Sequence, residues 1–340
     1  MTAKHSRIIL FLCLCTLVRG DFSARQKVIK LMENVGLEKY LKAPVTITPK
    51  APGLLLIADQ GVFAVQHELL TPAHSAEPNV VIQDGLCIIP TADKLTVVTH
   101  GWLDKGEDDW PSQMAEAIAA RIDPNEWVCA SYDWKGGSVV FTSVQAAQYA
   151  RDIAGPRLAA AVLKLDRPFK HIHLVGLSAG SWVIHSAARQ IARKYPNTQF
   201  HLTFLDAYIP DKWEAEQLGQ VFELPECQKS QYWGEHYYTR DITRKVTEHN
   251  LKEAHNIDIS ALDPLIVEHE FPYRWYMATI TGRYQRWDER DEPVATRCGD
   301  MDYGFLRSLE AGLENWNQSR QLPVGNPALK IIVKQLEQRQ

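Results

Sequence analysis

The stretch HIHLVGLSAG, residues 171–180, decides the fold. Its first seven residues, rich in Ile, Leu and Val, read as a strand buried in a sheet. The run breaks at Gly176-Leu177-Ser178-Ala179-Gly180, the only G-x-S-x-G in the chain. From Gly180 to Tyr195 the apolar residues Ile184, Ala187, Ala188 and Ile191 share one helical face, and Pro196 stops the pattern. A strand running directly into the pentapeptide and a helix running directly out predict a sharp, strained turn. The serine stands at its apex, and Gly176 and Gly180 leave room for the two backbones to approach.

Outward from this turn the same alternation repeats. Leu95–Thr99, Trp127–Tyr132, Phe200–Leu205 and Tyr232–Thr239 read as further strands, and residues 142–165 read as a helical stretch interrupted at Pro156. Strands alternating with helices predict an α/β fold with a mostly parallel central sheet and helices on both faces. In such sheets the chemistry collects at the carboxyl ends of the strands. His100-Gly101, Ser178 and Asp206 all fall at such ends.

Composition is ordinary for a globular chain of 340 residues, 45% hydrophobic and 23% charged. A net charge of −4 gives no global basic surface, so a nucleic-acid partner is not expected, and nothing implies a partner protein. Lys4, His5 and Arg7 precede a short apolar run from Ile8 to Val18, which reads as a secretory signal peptide over residues 1–20. Residues 21–340 then form a single domain in a secreted or periplasmic protein. The four remaining cysteines, Cys87, Cys129, Cys227 and Cys298, suggest disulfides in that compartment, with Cys227 to Cys298 the favoured pair.

A serine hydroxyl needs a base to become a nucleophile, and the base needs an orienting acid. Asp206, at the end of the strand after the turn's helix, is the first candidate acid, and Asp241, one strand later, is its alternative. The order serine, acid, histidine leaves His236, His249, His255 and His269. His236 reads as a packed or surface strand residue, and His249 and His255 as members of a solvated polar segment. His269 precedes Pro272-Tyr273-Arg274-Trp275-Tyr276, the start of a late helix, and is the preferred base, with His255 second. An oxyanion needs backbone N–H donors. Ala179 follows the serine, and Trp102 follows a glycine that lets its loop come close. No cofactor is implied. Nor is a metal: His171 and His173 share a strand face but lack a further ligand.

THGWLDKGEDDW (99–110), YDWKGGS (132–138), HIHLVGLSAG, TFLDA (203–207) and, more loosely, HEFPYRWY (269–276) together resemble the pancreatic-lipase-like group of neutral lipases. The resemblance implies an α/β-hydrolase fold and a serine carboxylester hydrolase acting on lipid or small esters, with transient contact to a lipid interface. It carries the roles of nucleophile, acid and base onto Ser178, Asp206 and His269, and those of oxyanion donor onto Trp102 and Ala179. The alternative it implies is an inactive lipase-fold protein that binds or stores lipid. Two departures stand out: Leu177 where animal lipases usually carry histidine, and Ala207 where they carry proline. The 71 residues after His269 leave no room for the C-terminal β-sandwich of animal relatives, so a stand-alone catalytic domain is expected. Residues 207–233 and 243–268 are the stretches long enough to cover the site.

Overall fold

The computed structural model describes residues 44–59, 78–86, 88, 90–102, 109–138, 142–210, 218, 231–240, 245–251, 254–262, 269–285, 291–293, 297–298 and 301–308. Among these, one nine-stranded sheet organises the chain. Its strands are β1 (Val45–Ala51), β2 (Leu54–Asp59), β3 (Val80–Ile82), β4 (Lys94–Thr99), β5 (Trp127–Asp133), β6 (His171–Leu177), β7 (Gln199–Leu205), β8 (Gln231–Tyr238) and β9 (His255–Asp258). They lie in the order β3-β1-β2-β5-β4-β6-β7-β8-β9, parallel from β2 to β9, with β1 antiparallel to β2.

The sequence explains the centre of this sheet. Every residue of β6 is buried, as are all of β5 but its last, because helices cover both faces. On one face lie α2 (Ser143–Tyr149), α3 (Gly155–Lys164) and α4 (Gly180–Lys194), packed on Val97, Ala130, Ile172, Leu174, Phe200 and Leu202. On the other lie α1 (Trp110–Ala119) and α5 (Phe271–Thr281), packed on Val98, Val175, Leu177, Leu205 and Tyr237. The alternation between clusters along each strand follows the period of two. This is an α/β-hydrolase fold.

Helix α4 shows how local signals set an element. It begins at the Ser178 turn, buries Ile184, Ala187, Ala188 and Ile191, and carries Arg193 and Lys194 in its last turn, where cations oppose the negative helix end. The expected irregularity before α4 is also present. A π-helical turn, Ala150–Ala154, joins α2 to α3, and Pro156 falls in the first turn of α3. A proline there needs no N–H partner, and the widened turn upstream accommodates its ring.

Several expectations need correction. His255 is not in a solvated segment: it opens the edge strand β9 and is 7% exposed. The described residues of 243–268 also hold 3₁₀ turns at Lys245–Thr247 and Ser260–Leu262. Of the apolar residues in the other stretch, Leu218 is buried in the α2–α4 core, and Trp213, Val221, Phe222 and Leu224 lie outside the described residues. Strands β1–β3 were not anticipated. Cys129 is a free, buried thiol whose pKa is pushed up to about 12 by burial, so it is chemically quiet. Cys87, Cys227, Asp241 and the expected leader over residues 1–20 fall outside the described residues, and of Cys298 only the backbone is described. No helix among the described residues is long and apolar enough to cross a membrane.

Candidate active site

The sheet reverses its direction of growth beside β4. The chain goes from β4 outward to β5, then crosses back to β6 on the other side. Helices that follow β4 and β6 therefore leave toward opposite faces, which opens a crevice at the carboxyl ends of these strands. His100-Gly101 and Ser178 meet there.

Ser178 has φ 53, the left-handed region that non-glycine residues seldom occupy. Its N–H donates to the Leu205 carbonyl at 2.9 Å, so the β6–β7 ladder continues into the strained residue and holds it. Room for the turn comes from glycine. A Cβ on Gly180 would stand 2.3 Å from the His100 carbonyl oxygen, so no larger residue could hold this crossing. Ser178 is 6% exposed, and Ala179 is fully buried at the start of α4.

The loop after β4 is fixed by His100. Its Nε2 accepts from the Trp134 N–H at 3.0 Å, so Nδ1 carries the proton and donates to the Gly101 carbonyl at 3.0 Å. The His100 ring also stacks on Trp134, whose Nε1–H donates back to the His100 carbonyl. In a trans peptide the C=O and the following N–H point in opposite directions. Anchoring the Gly101 carbonyl on His100 thus turns the Trp102 N–H away from that ring. Gly101 itself lies against the serine: a Cβ there would be 2.9 Å from Ser178 Cβ.

Asp206 directly follows β7, the neighbour of β6, and also has a positive φ, 47. Its N–H donates to the Tyr237 carbonyl at 2.8 Å. The carboxylate is fully buried with both oxygens engaged: Oδ1 accepts from the Thr239 N–H at 3.0 Å, and Oδ2 contacts His269 Nδ1. His269, in the turn before α5, is about one-third exposed at its side chain. The helix behind it is seated by buried Phe271, Trp275 and Tyr276 and by the stacking of Tyr273 on Trp110. The structure therefore brings Asp206 and His269 together, and sets Ser178 on the adjacent strand end.

His255 is not at this site. It sits on β9 near Trp233. His236 and Thr239 belong to the site's surroundings, although no spacing marked them, because their contacts run across β7 and β8.

The model of the family described as Lipase matches residues 83–216. Mouse pancreatic triacylglycerol lipase is 35% identical over 103 residues, 29% of this chain and 21% of that protein. The rabbit pancreatic triacylglycerol lipase is 34% identical over 124 residues, 35% of this chain and 25% of that protein. Over residues 83–216 the chain is similar to the pancreatic-lipase-like family. It spans a fifth to a quarter of the length of these relatives. A solved metagenome-derived lipolytic enzyme, 12% identical, covers 56% of this chain and 94% of its own with a TM-score of 0.31, too loose a likeness to argue from.

The matched stretch of this lipase-like chain holds Gly101, Ser178 and Asp206, and His269 lies beyond it. The sheet's interior also holds a polar cluster. His173, His201 and Glu235 bring possible ligand atoms within 4.8 Å of one another, supplying the further ligands that the sequence did not reveal. The arrangement does not cradle an ion, however. The His173 and His201 rings stack 3.9 Å apart and 11° from parallel. Their in-plane lone pairs run side by side and cannot converge on one metal at bonding distance. Glu235 is instead saturated with donors: Thr203 Oγ1 at 2.7 Å, Ser308 Oγ at 2.5 Å, Tyr237 OH at 2.8 Å and His201 Nε2 at 3.1 Å. Burial holds both histidines well below their usual pKa, hence neutral.

Proposed function

We propose that this chain is an exported serine carboxylester hydrolase that acts on lipid-type esters such as acylglycerols or phospholipids. Ser178 is its nucleophile, His269 its base and Asp206 the acid that orients the base. The reading rests above all on the Asp206–His269 pair, formed by a fully buried carboxylate one strand from a serine in a strained turn. Asp206 accepts the Nδ1 proton of His269, which fixes the tautomer and leaves the Nε2 lone pair to take a proton. The lipase-family match and the pancreatic relatives favour ester substrates, and the leader read in residues 1–20 favours export.

In the first half-reaction the Ser178 Oγ attacks the ester carbonyl carbon while His269 Nε2 takes the hydroxyl proton. The carbonyl oxygen becomes an oxyanion held by the N–H groups of Trp102 and Ala179. Collapse breaks the bond to the alcohol, which leaves with the proton from His269, and the acyl group stays on Ser178. Water then repeats the sequence, its proton passing through His269 to Ser178, and releases the acid. The Ser178 proton leaves with the alcohol and a water proton replaces it, so the cycle closes on these residues and water alone.

The test is hydrolysis of p-nitrophenyl butyrate and palmitate by the purified chain beside Ser178→Ala, with fluorophosphonate labelling. Turnover and labelling that both vanish in Ser178→Ala support the reading, and the butyrate-to-palmitate ratio begins to define acyl length. A wild-type chain that neither turns over emulsified or monomeric esters nor takes the label would sink it in favour of an inactive lipase-fold protein.

A further inference from the structure

Asp206 can orient a histidine only while its own strained turn is held, and the groups that hold it lie on β8 and β9. The peptide after Asp206 points its N–H, that of Ala207, at Nε2 of His236, 3.2 Å away. His236 faces the opposite side of β8 from Glu235 and Tyr237 and is fully buried. Its other nitrogen, Nδ1, lies 3.2 Å from Oδ1 of Asn256 on β9. The orientation of Asn256 is dictated by backbone. Oδ1 accepts from the Leu251 N–H at 2.7 Å, while Nδ2 donates to the carbonyls of Leu251 at 2.8 Å and Ala254 at 3.0 Å. A flipped amide would lose all three bonds.

The consequence runs along a line of hydrogen bonds. Because Asn256 presents its oxygen, His236 must carry its proton on Nδ1. Nε2 is then a bare lone pair, the only form that can accept from Ala207. The Tyr238 ring, stacked on His236 at 5.0 Å, fixes the plane. Burial, reinforced by the nearby His249, lowers the His236 pKa to about 3, so the ring stays neutral across the pH range in which an esterase would work.

We infer that His236, oriented by Asn256, is the positioning residue of the candidate acid: it holds the Asp206–Ala207 peptide so that the carboxylate meets His269. The inference rests on the proposed serine-hydrolase reading for its consequence in catalysis. The contact with Ala207 does not depend on that reading. Without the acceptor the Ala207 N–H is buried unsatisfied, and the turn at Asp206 is free to relax from its left-handed conformation.

Three variants test it in the full chain: His236→Leu, His236→Gln and Asn256→Asp. His236→Leu should lower kcat on p-nitrophenyl butyrate by about a hundredfold with little change in KM, the scale of a misplaced catalytic group. His236→Gln offers an amide oxygen to Ala207 and should recover about tenfold of that loss. Asn256→Asp places a carboxylate on Nδ1 and favours the imidazolium, whose Nε2–H would face the Ala207 N–H donor to donor. Its kcat should therefore show an added protonation step as pH falls, which a merely structural change would not produce. Thermal melting confirms that each variant folds. Low-field proton NMR reads the His269 Nδ1–H held by Asp206 without any turnover: the signal should weaken in His236→Leu and persist in His236→Gln. A folded His236→Leu that keeps both the low-field signal and the wild-type kcat overturns the inference. Equal impairment of the folded leucine and glutamine variants overturns it too. An inactive, unlabelled wild type defeats the hydrolase reading alone, and the NMR comparison still decides whether His236 positions the acid.

Discussion

Gly101→Ala asks whether the loop after β4 supplies the oxyanion donor. An alanine Cβ at this position would stand 2.9 Å from Ser178 Cβ and 3.0 Å from the Leu177 carbonyl oxygen. Ordinary contacts begin near 3.4 Å, and neither neighbour is the mobile end of a long side chain. Leu177 O is backbone at the end of β6, and Ser178 is locked by its bond to Leu205. The loop must therefore retreat by roughly half an ångström or more, carrying the Trp102 N–H with it. Overpacking of this kind costs about 1–3 kcal/mol of stability, or a few degrees in melting temperature for a chain of this size. Loss of one oxyanion donor costs about a hundred- to a thousandfold in kcat. We expect a kcat fall of about a hundredfold or more, KM changed by less than about threefold, and a folded protein. Gly85→Ala is the control. Its φ of 86 strains any side chain, but no atom lies within 4 Å, so it should lose about 1 kcal/mol of stability and no activity. A folded Gly101→Ala with wild-type kcat would show that the donor comes from elsewhere.

Two further outcomes concern stability. His171, with a pKa lowered to about 4, and His185 and His236, with values lowered to about 3, are buried neutral and must take up protons on acid unfolding. Their stabilisation is present above the unfolded value of about 6.5 and is lost as pH falls below it, by about 2 kcal/mol each at pH 5. Urea unfolding at pH 7.5 and pH 5 should differ accordingly, and equal midpoints would contradict the burial argument. Asp59→Asn should destabilise by about 1–3 kcal/mol, because it removes the counter-charge of the partly buried Arg157 guanidinium, paired at 2.7 Å with a carboxylate 1% exposed at its side chain. Chemical denaturation measures this, and a loss below about 1 kcal/mol would mean that water reaches the pair.

The parts of the fold legible in the sequence were those whose signals are local. Strands β4 to β7 are apolar because both of their faces are covered, and such runs stand out against polar loops. The Ser178 turn is legible because glycine spacing, strand and helix all fall within a few residues. β9 was not legible. His255-Asn256-Ile257-Asp258 contains one apolar residue, and it is a strand only because β8 pairs with it and the core closes over His255. The same limit hid the partners of the candidate acid. Thr239 and His236 reach Asp206 and Ala207 across a strand boundary, and the His173–His201 stack arises from the register of β6 against β7. Register is fixed by the whole sheet and leaves no mark in the spacing of any one segment.

That register also explains why the candidate nucleophile and the candidate acid sit as they do. Four non-glycine residues among those described have positive φ. Asp109 and Asp166 flank helices, where aspartate tolerates the left-handed region, and the other two are Ser178 and Asp206. These two are one device used twice. Each follows the last residue of a parallel strand, and each donates its N–H to a carbonyl near the end of the next strand, Leu205 for Ser178 and Tyr237 for Asp206. A further bond, from the Tyr208 N–H to the Ser178 carbonyl at 3.3 Å, ties the second turn to the first. The separation between hydroxyl and carboxylate carriers is thus set by strand spacing, and a slip of one residue would throw either side chain to the wrong face. His269 has no such ladder. It is placed by the seating of α5 and by its contact with Asp206. The rigid sheet therefore fixes two of the three groups, and the third depends on the acid's turn keeping its shape. That dependence makes the Ala207 N–H, a group that touches no substrate, a point where a single hydrogen bond can govern the site.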